Sequence, residues 1–156
     1  MKPAPHRARP ASVAAGLLTV VMATTACGGS KSDADSVKST VSSFFAAVGN
    51  DKADGACALL TDAGVKELSS AAFLLRPPSS CADAVKTFNK VLTSDDKKSL
   101  ESTKVKRVTI TGNTATVDDN DIELKAGGEV GLFRNSSPKP LTLEKVGGDW
   151  KISSLG

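Results

Sequence analysis

The spacing of apolar residues along this chain changes once, near residue 104, and that change limits the folds open to it. Before it the steps are three and four residues, the period of a helix with one buried face. Val37, Val41, Phe44, Phe45 and Val48 make one stripe over about 35–48, with Asp35 or Ser36 as its cap and Gly49-Asn50 as its end. Ala56, Cys57, Leu59 and Leu60 suggest a short helix, and Thr61 caps a further one carrying Val65, Leu68, Ala71 and Ala72. The segment Arg76-Pro77-Pro78-Ser79-Ser80 breaks that helix. Ser79 or Ser80 then starts the last long helix, with Ala82, Val85, Phe88, Val91 and Leu92, ending near Thr93 ahead of a charged stretch from Asp95 to Lys98.

After residue 104 the apolar residues alternate with polar ones, the period of a strand with one buried face. Val108 and Ile110 lead through a Gly112-Asn113 turn to Thr114-Ala115-Thr116-Val117, which predicts a hairpin. Ile122 and Leu124 continue or resume a strand, and Val130 and Leu132 mark another. Leu141, Leu143 and Val146 pass through Gly147-Gly148-Asp149 to Trp150, Ile152 and Leu155. Helices first and strands afterwards predict an α+β fold, N-terminal helices packed on a curved antiparallel sheet, because neither set can bury its apolar face alone.

The first 26 residues stand outside this pattern. Lys2, Arg7 and Arg9 precede an uncharged run, residues 11–26, which ends in small residues before Cys27. That order reads as a secretory signal, since 16 residues with three threonines fall short of the roughly 20 apolar residues that a spanning helix needs. The chain divides accordingly into a signal over 1–26, a small polar tether over 27–35 and one domain over 36–156. The division also changes the charge. The 20 Lys and Arg outnumber the 17 Asp and Glu only through the three bases of the signal, so the remainder is formally neutral. Neutrality gives no reason to expect a nucleic acid partner, and Lys104, Lys106 and Arg107 have no interleaved aromatics to stack bases.

The string Thr24-Thr25-Ala26-Cys27-Gly28 resembles the cleavage and lipidation box of bacterial lipoproteins. The resemblance implies that Cys27 becomes the first mature residue and carries diacylglycerol on its sulfur, anchoring the chain to a lipid bilayer on the extracytoplasmic face of the cell membrane. Two acyl chains on one residue meet the physical need, because a single chain holds a soluble domain only marginally. Over 37–155 the layout is similar to actinobacterial lipoproteins with a nuclear-transport-factor-two-like (SnoaL-like) domain. The phrases that carry it are Asp54-Gly55-Ala56-Cys57-Ala58-Leu59-Leu60, Cys81-Ala82-Asp83-Ala84-Val85, the strand pair around Gly112-Asn113, and Gly148-Asp149-Trp150-Lys151-Ile152. This resemblance implies a cone of helices and bent sheet around a cavity. The aromatics are expected mainly in the core, and Phe44, Phe88 and Trp150 are the best candidates to line such a cavity.

With Cys27 acylated, Cys57 and Cys81 are the remaining pair in an exported chain, and a disulfide between them is expected. Histidine chemistry and zinc are not expected, because the single histidine, His6, lies in the signal and two cysteines cannot complete a four-ligand site. No cofactor is expected. Asp118, Asp119, Asn120, Asp121 and Glu123 read as a solvated turn without the spacing of a calcium loop. Gly127-Gly128 and Gly147-Gly148-Asp149 read as turns rather than phosphate loops, and Asn135-Ser136-Ser137 as a chance sequon. No serine lies in a nucleophile elbow, and carboxylates such as Asp83 and Glu67, which could act as bases only if burial raised their pKa, are expected to face solvent and are given no catalytic role. The expected function is therefore non-catalytic binding of a small apolar ligand or an envelope protein; the alternative is an enzyme using carboxylates on a small hydrophobic substrate.

Overall fold

A computed structural model describes residues 32–124 and 139–156. Cys27, the expected strand at Val130 and Leu132, the Gly127-Gly128 turn and the Asn135 sequon lie outside them. Among the described residues the fold is α+β, five α-helices followed by antiparallel strands. The helices are α1 (Asp33–Gly49), α2 (Ala53–Ala58), α3 (Asp62–Phe73), α4 (Cys81–Val91) and α5 (Ser94–Glu101). The strands are β1 (Lys104–Val105), β2 (Thr109–Thr111), β3 (Thr114–Val117), β4 (Ile122–Glu123), β5 (Leu141–Val146) and β6 (Asp149–Ser154). Four of them form one sheet in the order β2-β3-β5-β6, and β1 pairs separately with β4.

The helix stripes and strand alternations meet in one core. From the helices come Val37, Val41, Phe44 and Val48 of α1, Leu68 of α3, and Val85 and Phe88 of α4; from the sheet come Ala115, Val117, Leu141, Leu143 and Ile152. The hairpin expected at Gly112-Asn113 forms, and β5 and β6 make a second across Gly147-Gly148. Gly112 and the Gly147-Gly148 pair supply the positive φ that tight turns between twisted strands require.

Side chains fix where the helices begin. Ser32, Thr61, Ser80 and Thr93 each accept a hydrogen bond from a backbone N–H three residues on, satisfying a donor that the first helical turn leaves orphaned. Two boundaries differ from the sequence expectation. Helix α1 starts at Asp33, inside the segment assigned to the tether, because Ser32 rather than Asp35 or Ser36 is its cap. The charged stretch after Thr93 is helical: Thr93 and Asp96 form a reciprocal capping box, and Leu100 alone among its large apolar residues is buried. With one apolar anchor α5 has no stripe to read, so its box was the only local sign of it.

Two contacts fix the helical layer, one to the sheet and one within the layer itself. The N–H of Thr61 donates to the Ile152 carbonyl, and the Ile152 N–H donates to the Leu59 carbonyl, so the link between α2 and α3 continues the sheet beyond β6. Gly64 lies against the same Ile152 carbonyl, in space that a Cβ would fill. The second contact is covalent: Cys57 of α2 and Cys81 of α4 form a disulfide with 6.1 Å between their Cα atoms. The end of α3 has no such cover. Phe73, Leu74 and Leu75 are 63%, 88% and 43% exposed, ahead of the Pro77-Pro78 break.

Two stability measurements test this account. Gly64→Ala forces a methyl into the Ile152 carbonyl and is expected to cost about 1–3 kcal/mol in denaturant unfolding. Replacing Cys57 and Cys81 together by alanine is expected to cost about 3.5 kcal/mol by the entropy of the closed loop, whose ends are 24 residues apart, and mass analysis of non-reduced peptides from the parent is expected to show the two cysteines joined.

Candidate functional site

Three elements meet where α1 begins. Asp33, the first residue of α1, accepts hydrogen bonds at Oδ1 from Lys145 Nζ of β5 at 2.7 Å and from Trp150 Nε1 of β6 at 3.1 Å. The Lys145 ammonium lies 5.6 Å from the centroid of the Trp150 ring, within range of a cation–π attraction. About two turns further along α1, the Thr40 hydroxyl donates to the Trp150 carbonyl at 3.3 Å. Trp150 is thus held by its indole N–H and its main chain, and only 4% of its surface is exposed.

A shallow groove of about 420 Å³ runs beside this cluster, bordered by Ser36, Ser39 and Thr40 of α1, Leu59 after α2, and Trp150 and Lys151 of β6. Its walls mix hydroxyls with apolar surface. A second groove, about 550 Å³, lies between the end of α5 and β4, with Thr103, Lys104, Glu123 and Leu124 on its border. Of the three aromatics expected to line a cavity, Trp150 borders the first groove. Phe44 and Phe88 border neither. Both are essentially fully buried, because the α1 and α4 stripes turn them inward where side chains fill the space between helices and sheet.

The carboxylates are engaged in structure. Lys145 first and Trp150 second hold the Asp33 carboxyl below the usual aspartate range. Asp83 is lowered chiefly by the Ser79 N–H that it accepts at 3.0 Å, so it closes the turn before α4. Asp96 is lowered by the Thr93 hydroxyl and then the Thr93 N–H, the two donors of its capping box. Glu67 accepts the Leu155 N–H at 3.0 Å and ties the end of the sheet to α3. The acidic turn after β3 and the basic edge of β1 answer each other: Lys106 pairs with Glu123 at 2.8 Å, and Arg107 with the buried Asp121 at 2.9 Å. That pairing raises the Arg107 pKa further. Among the described residues no three His, Cys, Asp or Glu side chains are placed to hold a metal ion, and no helix is long and apolar enough to cross a membrane.

No protein-family model matches the chain, and comparisons with curated proteins and with solved structures return no match. The site is therefore read from its own residues. Cys57 and Cys81 are joined and stand apart from both grooves' borders. Asp33 is the residue that sequence reasoning missed by assigning it to the tether. Its signal was the pattern Ser32-Asp33-Ala34-Asp35 ahead of Val37, a serine with an acid three residues later before an apolar run.

The cluster sets an acid limit on the fold. A carboxyl with a depressed folded pKa stabilises above its unfolded value, near 3.8, and loses that contribution as pH falls through the folded value. Asp33, Asp83 and Asp96 all act in this direction, so stability is expected to hold across neutral pH and to fall below about pH 4. Asp33→Asn is expected to melt below the parent at pH 7 and to lose that deficit in acid, as thermal unfolding followed by circular dichroism across pH would record.

Proposed function

We propose that this chain is an extracytoplasmic lipoprotein, anchored to the cell membrane through acylated Cys27. Its single domain, of a nuclear-transport-factor-two-like, cone-like kind, binds a small apolar ligand or an envelope protein rather than catalysing a reaction. The observation that carries the reading is the placement of Cys27. It follows directly on an uncharged run and stands five residues before Ser32, the cap of the first helix, so lipid and folded domain are separated only by a short polar stretch.

Binding is supported over catalysis by the way the acids are used. Asp33, Asp83 and Asp96 are held toward the charged form by hydrogen bonds at helix starts, the reverse of the raised pKa that a carboxylate base near neutral pH needs. The Trp150 groove offers hydroxyls and apolar surface to a ligand, and the exposed Phe73–Leu75 tip offers apolar surface to a protein. A nucleic acid partner is disfavoured by the pairing of Lys106 and Arg107 with acids of the same chain.

Growth of a bacterial host with labelled palmitate tests the anchor. The parent chain is expected to carry label and sediment with membranes, whereas Cys27→Ser is expected to be unlabelled and released; an unlabelled, released parent would overturn the reading. Native mass spectrometry of the protein taken gently from its membrane is expected to show a retained apolar ligand or a bound protein.

A further inference from the structure

We infer that the anchored domain stands on the lipid surface on one particular pole, the one formed by the start of α1 and the turns of both hairpins, with the apolar tip of α3 directed away from the bilayer. This inference rests on the Cys27 anchor proposed above and adds the face that meets the lipid. The elements of that pole are tied together. Asp33 at the start of α1 is bonded to Lys145 and Trp150, which face each other across the β5–β6 hairpin next to its Gly147-Gly148 turn. The Lys145 N–H donates to the Asn113 carbonyl at 2.9 Å, which brings the β2–β3 turn to the same place.

The opposite pole follows from the course of α3. Gly64 lies against Ile152 and Glu67 accepts the Leu155 N–H, so α3 advances along β6 away from the hairpin turns. At a rise of about 3.3 Å per strand residue and 1.5 Å per helix residue, Phe73–Leu75 lie roughly 30 Å from those turns. The leash is shorter than that. Five residue steps separate Cys27 from Ser32, and a fully extended chain covers about 18 Å in five steps. With the tip in the bilayer and the turns uppermost, the leash could not reach. The Asp33 bonds and the Ser32 cap oppose any lengthening of the leash by unwinding of the first turn of α1.

The chemistry of the pole fits contact with hydrated headgroups rather than insertion into the acyl layer. Lys145 and Asp33 neutralise each other, Glu144, Asp149 and Asn113 are polar and exposed, and Val146 is half exposed. The Phe73–Leu75 tip is left facing the space beyond the membrane, where a protein rather than lipid can cover it.

Full-length acylated protein, reconstituted into phosphatidylglycerol and phosphatidylethanolamine vesicles bearing a headgroup quencher, provides the test. Cys27 is acylated and Cys57 and Cys81 are bonded in that protein, so Asn113→Cys and Leu74→Cys each add a single reactive thiol for a fluorophore. Quenching is expected to be at least roughly threefold stronger at position 113 than at 74, as a leash of about 18 Å dictates. Equal quenching at the two positions, or stronger quenching at 74, would overturn the orientation while leaving the anchor standing. A protein that fails to float with vesicles and carries no acyl mass on Cys27 would overturn the anchor and the orientation together.

Discussion

Helix α1 can occupy the centre of this fold because side chains satisfy both of its ends, a neighbouring serine at the start and a residue of α4 at the finish. Its apolar stripe is buried along its length, and a helix so placed cannot leave its terminal N–H and C=O groups to water throughout. At the start, Ser32 caps the backbone and the Asp33 carboxylate sits at the positive end of the helix dipole, where a negative charge is stabilised. At the other end the buried Asn89 of α4 donates from Nδ2 to the carbonyls of Val48 at 2.8 Å and Gly49 at 3.2 Å. Gly49 also packs closely on the Lys97 carbonyl, which a larger residue would displace. Sheet, α4 and α5 are each located by what they supply to α1.

Much of this order was legible in the sequence, and its failures have identifiable causes. The stripes of α1, α3 and α4 and the alternation of β3, β5 and β6 announced their buried faces, because a core this small draws most of the large apolar residues to one side. Helix α5 and the first turn of α1 were harder, since neither carries a stripe. They are held by hydroxyl and carboxylate caps that a hydrophobic pattern does not register. The candidate site was the least legible part. The partners of Asp33 lie 112 and 117 residues away, and their meeting depends on the hairpin register. Phe44 and Phe88 match the composition of a cavity wall equally well as core, and packing alone decides between the two.

The electrostatics of the domain are local and largely self-contained. Acids at helix starts accept N–H groups within about a turn of their own position, and the basic edge of β1 is matched by the acidic turn that β4 brings beside it. Exposed pairs of this kind add little stability individually. Among the described residues their collective effect is to match basic side chains with acidic ones at the β1–β4 edge. Recognition by such a domain depends on shape and apolar contact more than on long-range attraction.

The Cys57–Cys81 bond makes the fold's stability a property of its compartment. In a reducing environment the two thiols are separate and the chain between them keeps its freedom in the unfolded state. The same sequence is then weaker by about 3.5 kcal/mol, a large part of the stability usual for a domain of this size. Under the export proposed above, that difference favours a chain that crosses a membrane unfolded. It is easier to keep open on the side where it is made, and it closes on α2 and α4 on the side where oxidation fixes it.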